Sequence, residues 1–189
     1  GLTSRADQRN PKEWAEELRT HKENLAAATR AVGYATHVSY SFPDNRFDTV
    51  ALLDLVKTIE KEKSSFRPDV IFTHHGGDTN IDHRQTFDGV ITATRPMVGE
   101  VARIILTFET PSSTEWQAFN RPNYFRPNVF VPVSEKNLKA KLEGMACYQY
   151  ESRAYPHPRS PEALTHLARY RGIQVGHEYA EAFLLIRSC

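Results

Sequence analysis

The sequence predicts an α/β fold with a mostly parallel sheet, and three observations support this. Segments with the apolar spacing of helices alternate with short β-branched and aromatic segments. One of these, 69-DVIFTH-74, is a continuous apolar run after Pro68, typical of a strand buried on both faces. The length of 189 residues suits one core, so we expect a single domain over residues 1–189.

The first predicted helix has a clear start and end. Asn10 suits the N-cap, Pro11 suits the first helical position, and Gly33 follows the last turn. The next segment, Thr36 to Phe42, alternates between apolar and polar residues and is rich in aromatic residues, which predicts a strand.

A second helix is predicted over residues 48–63, with Asp48 or Thr49 as its cap. The strand over residues 69–74 then leads through a polar loop into a helix that ends near Thr94. The remaining predicted elements are a strand over 103–109, a long loop over 110–128, a strand ending at Val133, helices over 135–150 and 161–171, and a final segment, AFLLIR, typical of either a strand or a helix.

Composition excludes several classes of function. Lys plus Arg total 24 against 23 for Asp plus Glu, so the chain lacks the broad positive charge of a nucleic-acid-binding protein. The partner is therefore expected to be a small molecule. Only Cys147 and Cys189 are present, so any metal must be held by histidine and carboxylate. No apolar run reaches membrane-spanning length and no signal-peptide pattern opens the sequence, which predicts a cytoplasmic protein without a membrane span.

The stretch 73-THHGGDTNIDHR-84 carries the chemistry. It holds three histidines and two aspartates, and it follows a predicted strand, where parallel sheets bind their ligands. The glycine pair allows the loop to fold back, and His83 falls near the first turn of the next helix. Imidazole and carboxylate are the ligands of catalytic zinc, and Asp78 or Asp82 could accept a hydrogen bond from a ligating histidine.

A structural role is the alternative for the same residues. Asp82 could cap the following helix while Asn80 turns the loop, as these residue types often do after a strand. Taken singly, Asp78 fits this role equally well, and His74 fits a histidine at the end of a strand.

Several segments, in this order and at this spacing, resemble the PIG-L and LmbE family of zinc-dependent N-acetyl-sugar deacetylases. They are 43-PDNR-46, 68-PDVIFTHHGGDTNIDHR-84, 111-PSSTEW-116, 122-PNYF-125, 155-YPHPRS-160 and 172-GIQVGHEYAEAF-183. The resemblance implies a Rossmann-like three-layer αβα fold, hydrolysis of the acetamide of an N-acetylglucosamine unit, and His83 as a zinc ligand. Where this chain has Asn80, better characterised branches have a histidine that stabilises the tetrahedral intermediate. His75 and Asp78 are the nearest candidates to replace it, and the candidate catalytic residues are His75, Asp78, Asn80 and Asp82.

The N-terminus departs from this family. Its AHPDDE-type motif, which supplies two zinc ligands and the general base, is missing here, and GLTSRADQR resembles the loop after the family's second strand. The resemblance therefore predicts that a strand–helix–strand unit of roughly 30 or more residues is missing. We expect either a piece of a longer protein or a unit supplied from elsewhere. The opposing interpretation is a short form that has lost its metal chemistry.

Four residues are candidates for substrate binding. Arg19 and Arg46 offer donor forks for sugar hydroxyls or for an anionic group of the substrate, Trp116 offers a ring face in the long loop, and His177 is a late histidine. Each has a structural alternative: ion pairs at the surface for the arginines and packing for the two ring residues.

The leading hypothesis is a zinc-dependent deacetylase of an N-acetylated sugar or glycoconjugate, which could assemble as a homo-oligomer. The alternatives are a catalytically silent carbohydrate-binding or interaction module of the same fold, and a hydrolase of a non-sugar amide. Histidine and carboxylate also accept iron, cobalt or manganese, so these metals are alternatives to zinc.

Overall fold

The computed structural model describes residues 14–120 and 122–189, and these form the α/β fold that the sequence predicts. The helices are α1 (Ala15–Val32), α2 (Leu52–Phe66), α3 (Ile81–Ala93), α4 (Glu135–Ala146) and α5 (Pro161–Ile173), and the strands are β1 (Val70–His74), β2 (Ile104–Phe108), β3 (Val129–Pro132) and β4 (Ala180–Ser188). No helix in these residues is long and apolar enough to cross a membrane.

Local capping explains several helix ends. Gly33 ends α1 in the left-handed conformation, with φ of 89°, as predicted. Ser134 and Asn137 form a capping box at the start of α4, and the Ser160 hydroxyl accepts from Ala163 N at the start of α5. The predicted start of α1 at Asn10 and Pro11 lies outside the described residues.

The sheet is mixed, so the prediction of a mostly parallel sheet is wrong. Its order is β1-β2-β4-β3. β1 and β2 are parallel, with His74 paired to Phe108, whereas β4 runs antiparallel to β2. The direction of β4 could not be inferred from the sequence because alternation of helices and strands does not fix the direction of a last strand.

Two further predictions fail in the segment before β1. Residues 36–42 form no strand and are mostly exposed, since none of the described strands pairs with their backbone amides and carbonyls. The predicted caps Asp48 and Thr49 lie instead in a short 3-10 helix (Phe47–Thr49), and α2 begins later, after Ala51.

The strand β1 is formed as predicted, but it is not buried on both faces. Its Val70 and Phe72 side chains are 39% and 52% exposed, respectively, whereas Thr73 is buried. Val70 and Phe72 share one face of the strand and Thr73 lies on the other, so the apolar run indicated a strand but not burial of both faces.

The described chain divides into two compact units. The first comprises residues 14–44 and 131–181, and the second comprises residues 45–130 and 182–189. In the first unit Leu138, Ala168 and Tyr179 form a buried cluster. In the second, Ile105 and Leu106 of β2 are buried. The expectation of a single domain stays a prediction.

Candidate active site

The candidate site lies in the second unit, where the parallel strands β1 and β2 end. Because His74 pairs with Phe108, the loops that follow the two strands begin side by side. Residues 75–80 lead from β1 into α3, and residues 109–114 follow β2. This edge of a parallel strand pair is where the loops of α/β proteins converge on a ligand.

His83 and Asp78 form the central pair. His83 lies in the first turn of α3, and its Nδ1 is 3.2 Å from Oδ1 of Asp78. The Asp78 side chain is fully buried, whereas that of His83 keeps 18% of its surface exposed. Because the carboxylate accepts from Nδ1, the orientation of the ring is fixed and Nε2 is the nitrogen left for a ligand. Of the two aspartates that the sequence offered as acceptors, the structure places Asp78 in this position.

Asp78 also joins the two loops. Its carboxylate accepts from Asn80 N at 2.9 Å, from Thr114 Oγ1 at 2.8 Å and from the Ser113 hydroxyl. Burial alone would raise the pKa of Asp78, but the hydrogen bonds from His83, Ser113, Asn80 and Thr114 outweigh it and lower the pKa to about 2. The buried carboxylate is therefore ionised at neutral pH.

His74, at the end of β1, supports the His83 ring from its face. The two rings are stacked, with centroids 4.1 Å apart and planes inclined by 22°. Burial, followed by the neighbouring His83, lowers the pKa of His74 to about 4, although Asp78 acts in the opposite direction. His74 is thus neutral near pH 7 and presents a flat, uncharged surface to His83.

His75 is turned toward the long loop. Its Nε2 lies 2.7 Å from Asn123 O and its Nδ1 lies 3.5 Å from Thr107 Oγ1, so both ring nitrogens are engaged. The ring packs edge-on against Phe125, with 5.2 Å between centroids. Gly77 lies against the same loop, since a Cβ atom placed on it would be 2.2 Å from Asn123 O. His75 and Gly77 therefore fasten the long loop to the loop after β1.

Asn80 and Asp82 both differ from the roles that the structural alternative gave them. Asn80 is the N-cap of α3, and its Oδ1 accepts from Asp82 N at 2.8 Å. The expectation that Asp82 caps this helix is wrong because the cap falls two residues earlier. Asp82 instead accepts hydrogen bonds from the backbone N–H groups of Asn45 and Phe47.

The four predicted substrate residues divide between the units. Arg46 and Trp116 lie in the second unit, both exposed. Arg19 and His177 lie in the first unit, where the Arg19 guanidinium forms ion pairs with Glu16 and Glu23 and His177 is exposed between α5 and β4. Their roles in binding substrate stay predictions.

The described side chains supply one ligand position of a metal site, at His83. Within residues 14–120 and 122–189, no three His, Cys, Asp or Glu side chains come together as metal ligands. His83 Nε2 suits a ligand because Asp78 holds the other ring nitrogen. A catalytic zinc site needs three protein ligands, so the described residues do not complete one.

Sequence reasoning missed several residues that build the site. Ser113 and Thr114 follow β2 as the histidine loop follows β1, so the loop after the neighbouring strand was the place to search. Arg84 Nη1 donates to the carbonyl oxygens of Asp78 and Thr79, both at 2.7 Å, and it stands next to His83 in the sequence. Asn123 contributes through its backbone carbonyl to His75, and no residue type signals such a contact.

Three solved structures share this fold. The conserved protein TT1542 from Thermus thermophilus is 21% identical, with a TM-score of 0.65, over 90% of this chain and 74% of that one. The N,N'-diacetylchitobiose deacetylase from Pyrococcus horikoshii, solved with its inhibitor MPG, is 16% identical, with a TM-score of 0.70, over 98% and 69%. The A40926 pseudoaglycone deacetylase Dbv21 is 18% identical, with a TM-score of 0.59, over 98% and 82%.

Sequence comparison gives one family match. No curated protein sequence matches the chain. Residues 2–94, which include the loop with Asp78 and His83, match the family model described as "PIG-L: GlcNAc-PI de-N-acetylase". The solved structures agree with the LmbE-like deacetylase fold that the resemblance implied, although the three-layer arrangement stays a prediction. The match to the PIG-L family model thus covers residues 2–94, just under half of the chain.

Proposed function

We propose that this protein is a hydrolase that removes the acetyl group from an N-acetylated sugar or glycoconjugate. The observation that carries the proposal is the pair of buried Asp78 and partly exposed His83 at the carboxyl ends of β1 and β2, within the residues that match the PIG-L family model. Two proteins of similar fold are named as deacetylases of an N-acetylated disaccharide and of a pseudoaglycone, respectively. The first of these names suits a substrate with an acetamide on a sugar.

Metal dependence is part of the proposal. His83 Nε2 would hold zinc or another divalent ion at one coordination position, with Asp78 fixing the ring through Nδ1. His74, neutral and stacked on His83, would limit movement of that ring without adding charge.

We assign Asn80 the role of stabilising the negative charge that develops on the carbonyl oxygen during hydrolysis. Attack on an acetamide carbonyl produces an oxyanion, which preorganised N–H donors stabilise. The Oδ1 of Asn80 is anchored by Asp82 N, while its Nδ2 donates to no residue within 14–120 and 122–189. The anchored amide would thus hold Nδ2 in a fixed position for the carbonyl oxygen.

Asp78, Asp82 and His75 are better suited to positioning than to proton transfer. Asp78 and Asp82 accept hydrogen bonds on both carboxylate oxygens, and both ring nitrogens of His75 are engaged. A general base needs a free acceptor within reach of the attacking water. These contacts support a scaffold role for all three residues.

The test is acetate release by the purified protein. Three substrates follow from the comparisons: N-acetylglucosaminyl-phosphatidylinositol, N,N'-diacetylchitobiose and the A40926 pseudoaglycone. Released acetate and the matching free amine should appear together for at least one of them, because hydrolysis produces both. Saturable binding without acetate release would favour the silent carbohydrate-binding module. Acetate release from non-sugar acetamides alone would favour the general amide hydrolase.

A further inference from the structure

Asp82 joins two parts of the chain that are far apart in sequence. Its Oδ2 accepts from Asn45 N at 2.6 Å, and its Oδ1 accepts from Phe47 N at 3.0 Å. Hydrogen bonds between an ionised acceptor and a backbone N–H are stronger than those between neutral groups. The carboxylate therefore fastens the turn at residues 45–47 to the first turn of α3.

The residue between the two anchored amides is Arg46. Its backbone carbonyl is also held, by Thr49 N at 2.9 Å and by Thr49 Oγ1 at 2.8 Å. The Arg46 side chain is exposed and has no partner within residues 14–120 and 122–189. The held backbone fixes the position from which the side chain extends, and the unpaired guanidinium keeps its donor fork available for a ligand.

Asp82 is free for this contact because Asn80 caps α3. We call the two hydrogen bonds from Asn45 N and Phe47 N to the Asp82 carboxylate the clamp. A carboxylate in the first helical turn is also favoured by the helix dipole, so the clamp does not destabilise α3. An asparagine in its place would offer only one acceptor oxygen and would leave one of the two amides without its partner.

We infer that Asp82 is a positioning residue, which holds Arg46 beside the His83 site so that its guanidinium binds an acceptor oxygen of the sugar substrate. This inference rests on the proposed deacetylase function. His83 follows Asp82 directly in α3, so the clamp ties the position of Arg46 to the element that carries His83. Loss of the clamp should therefore weaken substrate binding more than it slows the chemical step.

The kinetic test compares Asp82→Asn, Arg46→Ala and the double variant. Asp48→Asn is the matched control, since Asp48 is exposed on the same turn and accepts no hydrogen bond within residues 14–120 and 122–189. Asp82→Asn should raise KM by about 10-fold or more, while kcat stays within about 3-fold of wild type. The double variant should have a KM no higher than that of Arg46→Ala alone, because both substitutions remove the same contact with substrate. Additive losses, or a fall in kcat at unchanged KM, would overturn the inference.

A second test of the clamp does not depend on enzymatic activity. Amide hydrogen exchange at Asn45 and Phe47, followed by NMR, should speed up in Asp82→Asn and stay unchanged in Arg46→Ala and Asp48→Asn. Asp82→Glu keeps two acceptor oxygens and should restore part of the protection. Unchanged exchange in Asp82→Asn would refute the clamp even if the protein were an active deacetylase. Faster exchange in a protein that releases no acetate would instead count against the proposed function.

Discussion

A buried carboxylate with several donors organises the candidate site at the residue scale. Asp78 accepts hydrogen bonds from its own loop, from the loop after β2 and from His83. An ionised group without exposure to water is tolerated only when such donors replace its hydration. The position of the His83 ring therefore depends on two loops at once.

Replacing Asp78 tests this dependence. Asp78→Asn removes the charge and one acceptor, so we expect kcat/KM to fall by about 10–100-fold. The free energy of unfolding should fall by about 1–3 kcal/mol, because the hydroxyls of Ser113 and Thr114 lose their charged acceptor. Acetate release and urea denaturation measure the two effects, with the exposed Asp88→Asn on α3 as control. Equal kcat/KM and equal free energies of unfolding for Asp78→Asn and Asp88→Asn would contradict the role of Asp78.

The two glycines of the histidine loop should differ in their tolerance of a methyl group. A Cβ on Gly77 would meet the backbone oxygen of Asn123, whereas a Cβ on Gly76 would meet the Phe87 ring. Because backbone moves less readily than a side chain, Gly77→Ala should lose about 1–3 kcal/mol of stability and Gly76→Ala less. Urea denaturation of both variants decides this, and a larger loss for Gly76→Ala would contradict the close contact of Gly77 with the long loop.

At the residue scale, sequence predicted the local part of the site and missed the distant part. Asp78 and His83 stand five positions apart, in the loop after β1 and in the first turn of α3, so their contact could be anticipated from spacing. Ser113 and Thr114 are more than thirty positions from Asp78, and only the parallel pairing of β1 and β2 brings them to it. The clamp from Asp82 to residues 45 and 47 was missed for the same reason.

At the scale of elements, a partly buried ion pair joins α2, α3 and the segment before β2. Lys63 Nζ donates to Ala93 O at 2.6 Å and pairs with the Glu100 carboxylate. Glu100 Oε1 also accepts from Val101 N and Ala102 N, both at 2.9 Å. Burial would raise the pKa of Glu100, but the contacts with Lys63 and the two amides lower it.

The pH dependence of stability follows from this lowered pKa. Glu100 contributes stability above the pKa of an unfolded glutamate, about 4.3, and loses it as the pH falls through its lower folded value. Glu100→Gln should therefore cost on the order of 2 kcal/mol at pH 7, and the difference from wild type should shrink at acidic pH. Chemical denaturation at several pH values measures it, with Glu60→Gln as control. A difference that stays constant down to acidic pH would contradict this role of Glu100.

Element ends were predictable where one residue type determines them. Gly33 ends α1 because its backbone is left-handed, which glycine adopts without strain. The start of α2 was not predictable, because Ala51 makes no side-chain capping bond. Residues 36–42 have the composition of a strand, but composition cannot supply a neighbouring strand.

At the scale of the whole molecule, the family and the α/β class were accessible from sequence, whereas the mixed sheet was not. Motif order and spacing identified the family because they record the chemistry of loops along the chain. Strand direction depends on how the chain returns to the sheet, and β4 returns antiparallel to β2. The cytoplasmic location, the homo-oligomer and the identity of the metal stay predictions.

The sharpest test of the proposed active site compares His83→Ala with wild type in acetate release from the best substrate. The control is His37→Ala, since His37 is exposed in the irregular segment after α1. We expect a loss of about 100-fold or more in kcat/KM for His83→Ala, the scale typical when a group that acts directly in catalysis is removed, and no change for His37→Ala. Equal acetate release by wild type and His83→Ala would show that the reaction does not use this site.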